Sequence, residues 1–214
     1  MRNIRIAPGE HYHLYNRGMA KQAIFLDESD YARFLFCLLY FQSETTFNNI
    51  GYYTSFFKRH KKFNLSNDTM SKIISTRSVE LVNYCLMPNH FHITVLEISE
   101  KGIANYMQRV LNSYTKYFNT KRKRSGHLFQ GPYQAVHIED NEQLLHLSAY
   151  IHKNPKEMGS KDLLNYFWSS YQDYVIENRW HDFLKPNIIL EQFESKDEYV
   201  DFVKTSTAKE EKET

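Results

Sequence analysis

Cysteine is scarce in this chain, which contains only Cys37 and Cys85 among 214 residues. Both lie within apolar runs, the first on a predicted helix and the second on a predicted strand. Two such thiols exclude a disulfide framework and a cysteine-rich zinc site, and they are typical of a cytosolic protein. We therefore predict that both thiols are free and buried.

Other absences narrow the class of protein further. No apolar run is long enough to cross a membrane, the first residues lack an apolar signal region, and no internal repeat is visible. We therefore expect a cytoplasmic protein without a membrane partner. The chain length suits one well-cored domain with an extension, and the hydrophobic share of 42% is ordinary for a globular protein.

A global excess of positive charge is also missing, because the formal net charge is only +2. Any case for nucleic-acid binding must therefore rest on local clusters of cations. Two such clusters are the runs 58–62 and 121–124, and aromatic residues adjoin the first. Rings that stack on bases beside cations that meet phosphates suit a single-strand binding surface. A solvated insertion and a solvated loop are the alternatives.

The most informative stretch is MPNHFHITV, residues 87–95. If it forms a strand, alternation puts His90, His92 and Thr94 on one face and the apolar residues on the other. Two imidazoles on one strand face can share a divalent metal. Histidines that are merely packed or solvated are the alternative explanation for this spacing.

Residues 10–17 predict a first strand, on which His11 and His13 share a face. These two imidazoles could compete as metal ligands. A place at a sheet edge or near bound DNA is the alternative that we favour. His137, on a later strand, is predicted to be a strand residue and not a ligand.

A second informative stretch is the predicted helix that ends near Asn154. Asp140 is a good N-cap, with Gln143 three residues on as its capping-box partner. At helical spacing, Gln143, His146, Tyr150 and Asn154 form a polar stripe beside a buried face. A tyrosine in that setting is a plausible reactive residue, although an ordinary amphipathic tyrosine has the same pattern.

The order of elements predicts an α+β protein. Strands are expected at 10–17, 78–86, around the histidine pair and at 128–138, and helices at 27–42, 100–119 and 140–154. The first six elements match a ferredoxin-like βαββαβ antiparallel sheet, to which a C-terminal helix carrying Tyr150 is added. We expect the hairpin of the second and third strands at the centre of the sheet.

The domain organisation is predicted from the same order of elements. Residues 1–158 are expected to form one domain, in which 43–77 is a polar insertion without clear periodicity. Residues 159–214 form a C-terminal extension that holds a possible short helix from Lys196 and ends in a charged tail. The composition of residues 208–214 favours disorder.

Several motifs together resemble the single-tyrosine HUH transposases, and among them the REP-associated tyrosine transposases. These motifs are YHLYNRG at 12–18, MPNHFH at 87–92, GHLFQGPYQAV at 126–136, the helix end YIHKNP at 150–155 and WSSYQDY at 168–174. The resemblance covers about residues 11 to 175. It implies the ferredoxin-like fold, with metal histidines on a central strand and the tyrosine on the helix after the last strand.

The resemblance also implies roles for individual residues. His90 and His92 match the metal-binding pair, Asn154 matches the third metal ligand, and Tyr150 matches the nucleophile. Mg²⁺ or Mn²⁺ suits a site of imidazole nitrogen and amide oxygen. The reaction implied is cleavage and transfer of single-stranded DNA beside a hairpin, through a covalent 5′-phosphotyrosine, by a monomer or homodimer. Candidate DNA contacts are Arg17, Lys58, Arg59, Lys61, Lys62, Lys121, Arg122, Lys123 and Arg124, and Gln143 and His146 are candidate supporting residues.

Two other functions fit the same residues. The protein could be a domesticated binder of repeated palindromes that cleaves DNA but transposes little or not at all. Alternatively, it could be a metal-dependent hydrolase that uses water, with Tyr150 in a structural role. Trapping of a covalent protein–DNA adduct distinguishes the hydrolase from the other two.

Overall fold

The computed structural model of the protein describes residues 5–159 and 162–207. Its sheet has the strands β1 His11–Arg17, β2 Val79–Met87, β3 His90–Glu97 and β4 Gln134–His137. The strand order is β2-β3-β1-β4, and every neighbouring pair is antiparallel. The predicted α+β class is confirmed. The expectation that the β2–β3 hairpin is central is only half right, because β3 is central and β2 is an edge strand.

Eight α-helices complete the part of the chain that the structure describes. They are α1 Glu28–Tyr40, α2 Ile50–His60, α3 Asn67–Ser75, α4 Gly102–Lys121, α5 Asn141–Lys153, α6 Tyr171–Val175, α7 Asn187–Leu190 and α8 Lys196–Thr205. The helix expected from Lys196 is therefore present as α8. The tail 208–214, predicted to be disordered, lies outside the described residues. No helix within the described ranges is long and apolar enough to cross a membrane.

The two faces of the sheet carry different side chains. One face presents apolar residues such as Leu14, Phe91 and Ile93, and it packs against α1 and α4 in the main core. The opposite face carries the histidines of β1 and β3, and α5 covers part of it through Ile151, which contacts Cys85. The sheet is therefore buried on both sides, and α5 lies on the histidine face.

Both cysteines are buried and free, as predicted. Cys37 lies on α1 in the main core, where burial raises the pKa of its thiol to about 11. Cys85 lies on β2 directly opposite His92 of β3. Neither thiol is in a disulfide, so the chain is stabilised by packing instead.

The segment 43–77 is more regular than its composition predicts. It forms α2 and α3, whose N-termini are capped by Asn49 and Ser66. Phe57 of α2 is fully buried in the main core with Trp180, and it stacks at 4.6 Å on Phe63, which is partly buried and packs against that core. The segment therefore has no separate satellite core. Its helices are short, and contacts with distant aromatic residues stabilise them.

The last strand is shorter than predicted. Only Gln134–His137 pairs with β1 as a strand, although Phe129 forms a single bridge with Gly18. Gly131 has a φ of +140°, and the next residue, Pro132, has no N–H to donate to a ladder. The backbone therefore leaves the strand over residues 130–133. His137 lies in the strand, as predicted, and hydrogen-bonds the Glu10 carboxylate at 2.9 Å.

Three loops brace the end of the sheet at which β1 ends and β3 begins, which we call the site end. The Gly18 N–H donates to the Asn89 carbonyl at 2.8 Å, and the Met19 N–H donates to the Leu128 carbonyl at 3.0 Å. The Ile24 N–H donates to the Pro88 carbonyl at 2.8 Å. Only glycine fits at position 18, because a Cβ there would lie 2.2 Å from the Gln22 carbonyl oxygen. The loops thus hold the first residue of β3, His90, in a fixed place.

Candidate functional site

His90 and His92 lie on the same face of β3, as the alternation of the strand predicts. Their side chains are buried, with residue exposures of 7% and 2%. The two rings meet edge to face, with their centroids 5.1 Å apart. The pair therefore forms one compact group of imidazoles at the site end of the sheet.

The two polar contacts of His90 conflict, because a neutral ring cannot satisfy both of them as hydrogen bonds. Its Nδ1 lies 2.7 Å from the Asn89 Oδ1, and its Nε2 lies 3.2 Å from the Asn154 Oδ1. Each amide is oriented by its own NH₂ group, which donates to a backbone carbonyl. Both ring nitrogens of His90 thus face oxygens, but a neutral imidazole has only one N–H. If Nδ1 donates to Asn89, then Nε2 and the Asn154 oxygen turn lone pairs toward each other.

His92 presents a second lone-pair site nearby. Its Nδ1 lies 2.9 Å from Nε2 of His13, whereas its Nε2 is buried and has no hydrogen-bond partner among the described residues. Burial lowers the pKa of His92 well below the ordinary value, and electrostatic interactions with His13, His90 and Arg17 lower it further. His92 is therefore neutral at physiological pH, which is the form that binds a metal.

These donors fit a small divalent cation. Two adjacent ligands of an octahedral ion, each at about 2.0–2.1 Å, lie about 2.9 Å apart, near the observed 3.2 Å between His90 Nε2 and Asn154 Oδ1. A cation there would remove the conflict between the two lone pairs. Within the described ranges, no group of three His, Cys, Asp or Glu side chains is placed to hold a metal. A metal site would therefore depend on the amide of Asn154.

Tyr150 faces the same group from α5. Its half-buried ring stands edge-on to His92 at 5.5 Å and to His13 at 6.4 Å between centroids. Asn154 follows one helical turn later, and its Nδ2 donates to the Tyr150 carbonyl at 3.1 Å. The structure therefore brings the predicted tyrosine, both predicted histidines and the predicted asparagine together. Their chemical roles stay predictions.

A cleft of about 310 Å³ opens beside the two histidines. Arg17, which is the partner of His90 in the β1–β3 pairing, lines it together with Tyr15. An arginine in this place can meet an anionic group that enters the cleft. The other wall contains Gln130 and Gln134, which sequence reasoning did not single out.

His13 is the main functional candidate whose position the sequence did not indicate. It stacks on His92 with centroids 5.1 Å apart, and burial lowers its pKa to about 3. The sheet-edge place favoured from the sequence is wrong for His13, because β1 is a central strand and His13 contacts His92. A place near bound DNA, the other part of that expectation, stays a prediction. The available signal was alternation along β1, which puts His13 on the same face as Arg17.

The two predicted supporting residues have other contacts. Asp140 caps α5 by accepting from the Gln143 N–H at 2.8 Å, and the Gln143 Oε1 accepts from the Glu139 N–H at 2.6 Å. His146 contacts α8, where its Nδ1 lies 3.2 Å from Ser206 Oγ. Gln143 thus supports the start of the helix, and His146 supports its packing on α8.

Both basic clusters converge on the N-terminus of α1, at the site end. Lys61 forms an ion pair with Glu28, and Lys121 lies 2.7 Å from the Asp27 carboxylate. The N–H groups of Ile24 and Phe25, just before α1, bond to Pro88 in the turn that precedes His90. The clusters therefore lie at the same end of the molecule as the histidines, although they are far apart in sequence.

Carboxylates neutralise part of these clusters. Lys121 and Arg122 each pair with both Asp27 and the fully buried Asp30. Burial opposes the charge on Lys121, but its hydrogen bonds outweigh burial and raise its pKa above the ordinary value. Within the described ranges, no ion pair involves Lys58, Arg59, Lys62, Lys123 or Arg124. Lys121 is thus the last residue of α4, and both Lys121 and Arg122 are already paired with carboxylates.

Comparison with known proteins adds independent findings. Residues 52–154 match the family model described as "Transposase IS200 like". None of the curated proteins compared with the chain matches it. The chain resembles the solved structure of a REP-associated tyrosine transposase bound to a REP hairpin, with a TM-score of 0.53 and 14% identity. That likeness covers 82% of this chain and 86% of the other.

The family match and the structural likeness agree with the motifs of the sequence. The matched stretch contains both histidines of β3, the whole of α5 and Asn154. The structural likeness extends over most of the chain and shows that the α+β fold is shared. The predicted resemblance is confirmed: residues 52–154 match the IS200-like transposase family, and the fold is shared with a REP-associated tyrosine transposase.

Proposed function

We propose that this protein is a metal-dependent tyrosine transposase that cuts and rejoins single-stranded DNA beside a hairpin. One observation carries the proposal: His90 Nε2 lies 3.2 Å from Asn154 Oδ1, and the Tyr150 helix supplies the asparagine. Beside them, His92 Nε2 is buried with no hydrogen-bond partner in the described part of the chain. This is an arrangement that a divalent cation would complete, next to a tyrosine.

In the proposed reaction, Tyr150 is the nucleophile and Arg17 binds the phosphate. The Tyr150 oxygen attacks the phosphorus of the scissile phosphodiester, the bond from phosphorus to the 3′ oxygen breaks, and the phenolic proton passes to solvent while the 3′ oxygen takes up a proton. The products are a 5′-phosphotyrosine and a free 3′-OH. Arg17 lines the cleft and is placed to bind a phosphate oxygen. When a 3′-OH attacks the phosphotyrosine, the reverse step joins DNA without ATP.

His90, His92 and Asn154 would hold the cation. Bound Mg²⁺ or Mn²⁺ would polarise the phosphoryl oxygen and orient the scissile bond. The neutral state of His92 suits this role, since a protonated imidazole cannot be a ligand. The three side chains come from two elements, β3 and the end of α5, so the site depends on the packing of α5 against the sheet.

A DNA hairpin is the proposed substrate, and the proposed fold is the ferredoxin-like type. The REP-associated relative was solved with a REP hairpin, and the basic clusters at the site end offer this chain a phosphate-binding surface. The strand order β2-β3-β1-β4, with α1 and α4 on one face, supports the ferredoxin-like type.

The proposal is tested by trapping the covalent intermediate. A labelled DNA hairpin with a single-stranded flank is incubated with the protein and Mg²⁺ or Mn²⁺. Denaturing electrophoresis should then show label that migrates with the protein, and EDTA should prevent it. Cleavage without any adduct would contradict a tyrosine nucleophile and favour the hydrolase that uses water.

At the site end, some cations form ion pairs with carboxylates and others do not. This difference predicts which cations contribute to the salt dependence of DNA affinity. The double variant Lys123→Gln/Arg124→Gln should weaken binding to a single strand and reduce the slope of log affinity against log salt. Each lost phosphate contact lowers this slope by about 0.7, because fewer counterions are released. Fluorescence anisotropy with labelled single strands in EDTA, over a series of salt concentrations, measures both quantities.

The matched control is the double variant Lys121→Gln/Arg122→Gln. Its slope should remain close to the wild-type value, because carboxylates already neutralise these two cations. Its melting temperature should fall instead, since the buried Asp30 loses both of its ion-pair partners. A control slope that falls as far as that of the first variant would show that the ion pairs open on binding.

A further inference from the structure

The imidazole of His13 has no part in the chemistry described so far, although, among the described residues, it is the hydrogen-bond partner of the His92 ring. His13 lies opposite Thr94 in the β1–β3 register, which makes His92 its diagonal neighbour. Aromatic side chains can reach across such a diagonal on one face of a sheet. The two rings are nearly parallel, with an interplanar angle of 21°. The contact is thus a consequence of strand register.

The 2.9 Å distance between His92 Nδ1 and His13 Nε2 requires one proton between them. If His13 donates it, His92 carries its own proton on Nε2, where a buried N–H would lack an acceptor among the described residues. If His92 donates it, Nε2 has a bare lone pair. Orphaned buried N–H groups are rarer in proteins than under-satisfied acceptors, so the second arrangement is favoured.

We propose that His13 is a positioning residue, whose Nε2 accepts the Nδ1–H of His92 and so keeps the lone pair of His92 Nε2 free for a metal. Asn89 has the equivalent relation to His90, because its Oδ1 lies 2.7 Å from Nδ1 of that ring. In each proposed metal-binding imidazole, Nδ1–H would then donate to one acceptor, and Nε2 would remain available for the metal. Such outer partners orient the ring and set its tautomer. The metal-binding half of this inference rests on the proposed function, whereas the placement of the proton does not.

The substitutions follow from the geometry. His13→Phe keeps a ring of similar size but removes the acceptor. His13→Gln restores an acceptor, since the Gln amide oxygen is separated from Cα by as many bonds as Nε2 of histidine. His11→Phe is the matched control, because His11 is half-buried two residues away on the same strand, where the charges that affect it are those of Glu10 and Glu80.

The first measurement is the tautomer of His92 in the metal-free protein, read from long-range ¹H–¹⁵N NMR spectra. Wild type, His13→Gln and His11→Phe should carry the proton on Nδ1, and His13→Phe should shift it toward Nε2. A wild-type His92 protonated on Nε2 would overturn the proposal, because His13 would then be the donor. The spectra need neither metal nor DNA, so this result is independent of catalysis.

The second measurement is Mn²⁺ affinity without DNA, followed by EPR. His13→Phe should weaken binding about 10- to 100-fold, as loss of an outer partner does elsewhere, and His13→Gln should recover most of it. Pulsed EPR should count two coordinated imidazoles in wild type. A count of three would make His13 a ligand and overturn the positioning role.

The outcomes separate this inference from the proposed function. If His92→Ala loses Mn²⁺ binding but His13→Phe binds as wild type does, the positioning role of His13 is wrong and the proposed function stands. If wild type and His92→Ala bind Mn²⁺ equally weakly, the proposed metal site is wrong. The NMR result then decides on its own whether His13 sets the tautomer of His92.

Discussion

Tyr150→Phe should abolish DNA cleavage and covalent adduct formation while hairpin binding survives. The substitution removes the proposed nucleophilic oxygen but keeps the ring, whose edge faces His92 at 5.5 Å. Loss of a nucleophile typically costs on the order of 10⁴- to 10⁶-fold in rate, because the remaining groups cannot replace the covalent step. Denaturing electrophoresis measures cleavage and adduct, and anisotropy with the same labelled hairpin measures binding.

The matched variant is Tyr15→Phe. Tyr15 lines the cleft and, like Tyr150, contacts the ring of His92, on which it stacks at 5.7 Å between centroids. It should still form the adduct, because its hydroxyl is not the proposed nucleophile. Cleavage by Tyr150→Phe at the wild-type rate would instead assign the attack to water or to another residue.

His90→Ala and His92→Ala should each lower cleavage by about 10³-fold at a limiting Mg²⁺ concentration. A bound cation contributes several kcal/mol to the stabilisation of charge at a phosphoryl group, and the loss of one of three protein ligands removes most of its occupancy. Excess Mn²⁺ should restore part of the activity, because Asn154 and the remaining imidazole still offer ligands. Titration of cleavage against metal concentration gives the shift in apparent affinity directly.

Two controls make the histidine result specific. His137→Ala removes an imidazole that is hydrogen-bonded to Glu10 on the edge strand β4, and it should leave the metal titration unchanged. Excess Mn²⁺ should not rescue Tyr150→Phe. Equal cleavage by wild type and both histidine variants in EDTA would show that the reaction needs no metal.

Local patterns predicted much of the site. Alternation along β3 was enough to place His90 and His92 on one face, and the spacing along α5 was enough to put Asn154 one turn after Tyr150. The cap at Asp140 is local as well, since its carboxylate accepts from a backbone N–H only three residues away. Each of these features depends on neighbours within a few positions, so the sequence contains it directly.

Contacts between distant residues could not be predicted in this way. The bond between His13 and His92 joins residues 79 positions apart, and a slip of one residue in the pairing of β1 with β3 would abolish it. Lys121 is neutralised by Asp27, from which it is separated by 94 positions. A run of cations looks the same in a sequence whether or not distant carboxylates form ion pairs with it.

The helices of the segment 43–77 were missed for a related reason. These helices have only 11 and 9 residues, so each shows its apolar repeat over about three turns or fewer. Phe57 becomes a core residue because Phe63 and the distant Trp180 surround it. The stability of this segment comes from the tertiary structure, which a scan of neighbouring residues does not detect.

The attachment of Tyr150 and Asn154 to one helix has a kinetic consequence. The backbone of Asn154 is still helical, with φ −47° and ψ −39°, and its side chain bonds back to the Tyr150 carbonyl. The two residues would therefore be carried together by any displacement of α5. A displacement of α5 would withdraw the proposed nucleophile and one proposed ligand in the same motion, and its return would restore both. Assembly of the proposed site would then be all-or-none. A state in which all three proposed ligands hold the metal but the tyrosine is withdrawn would not be populated.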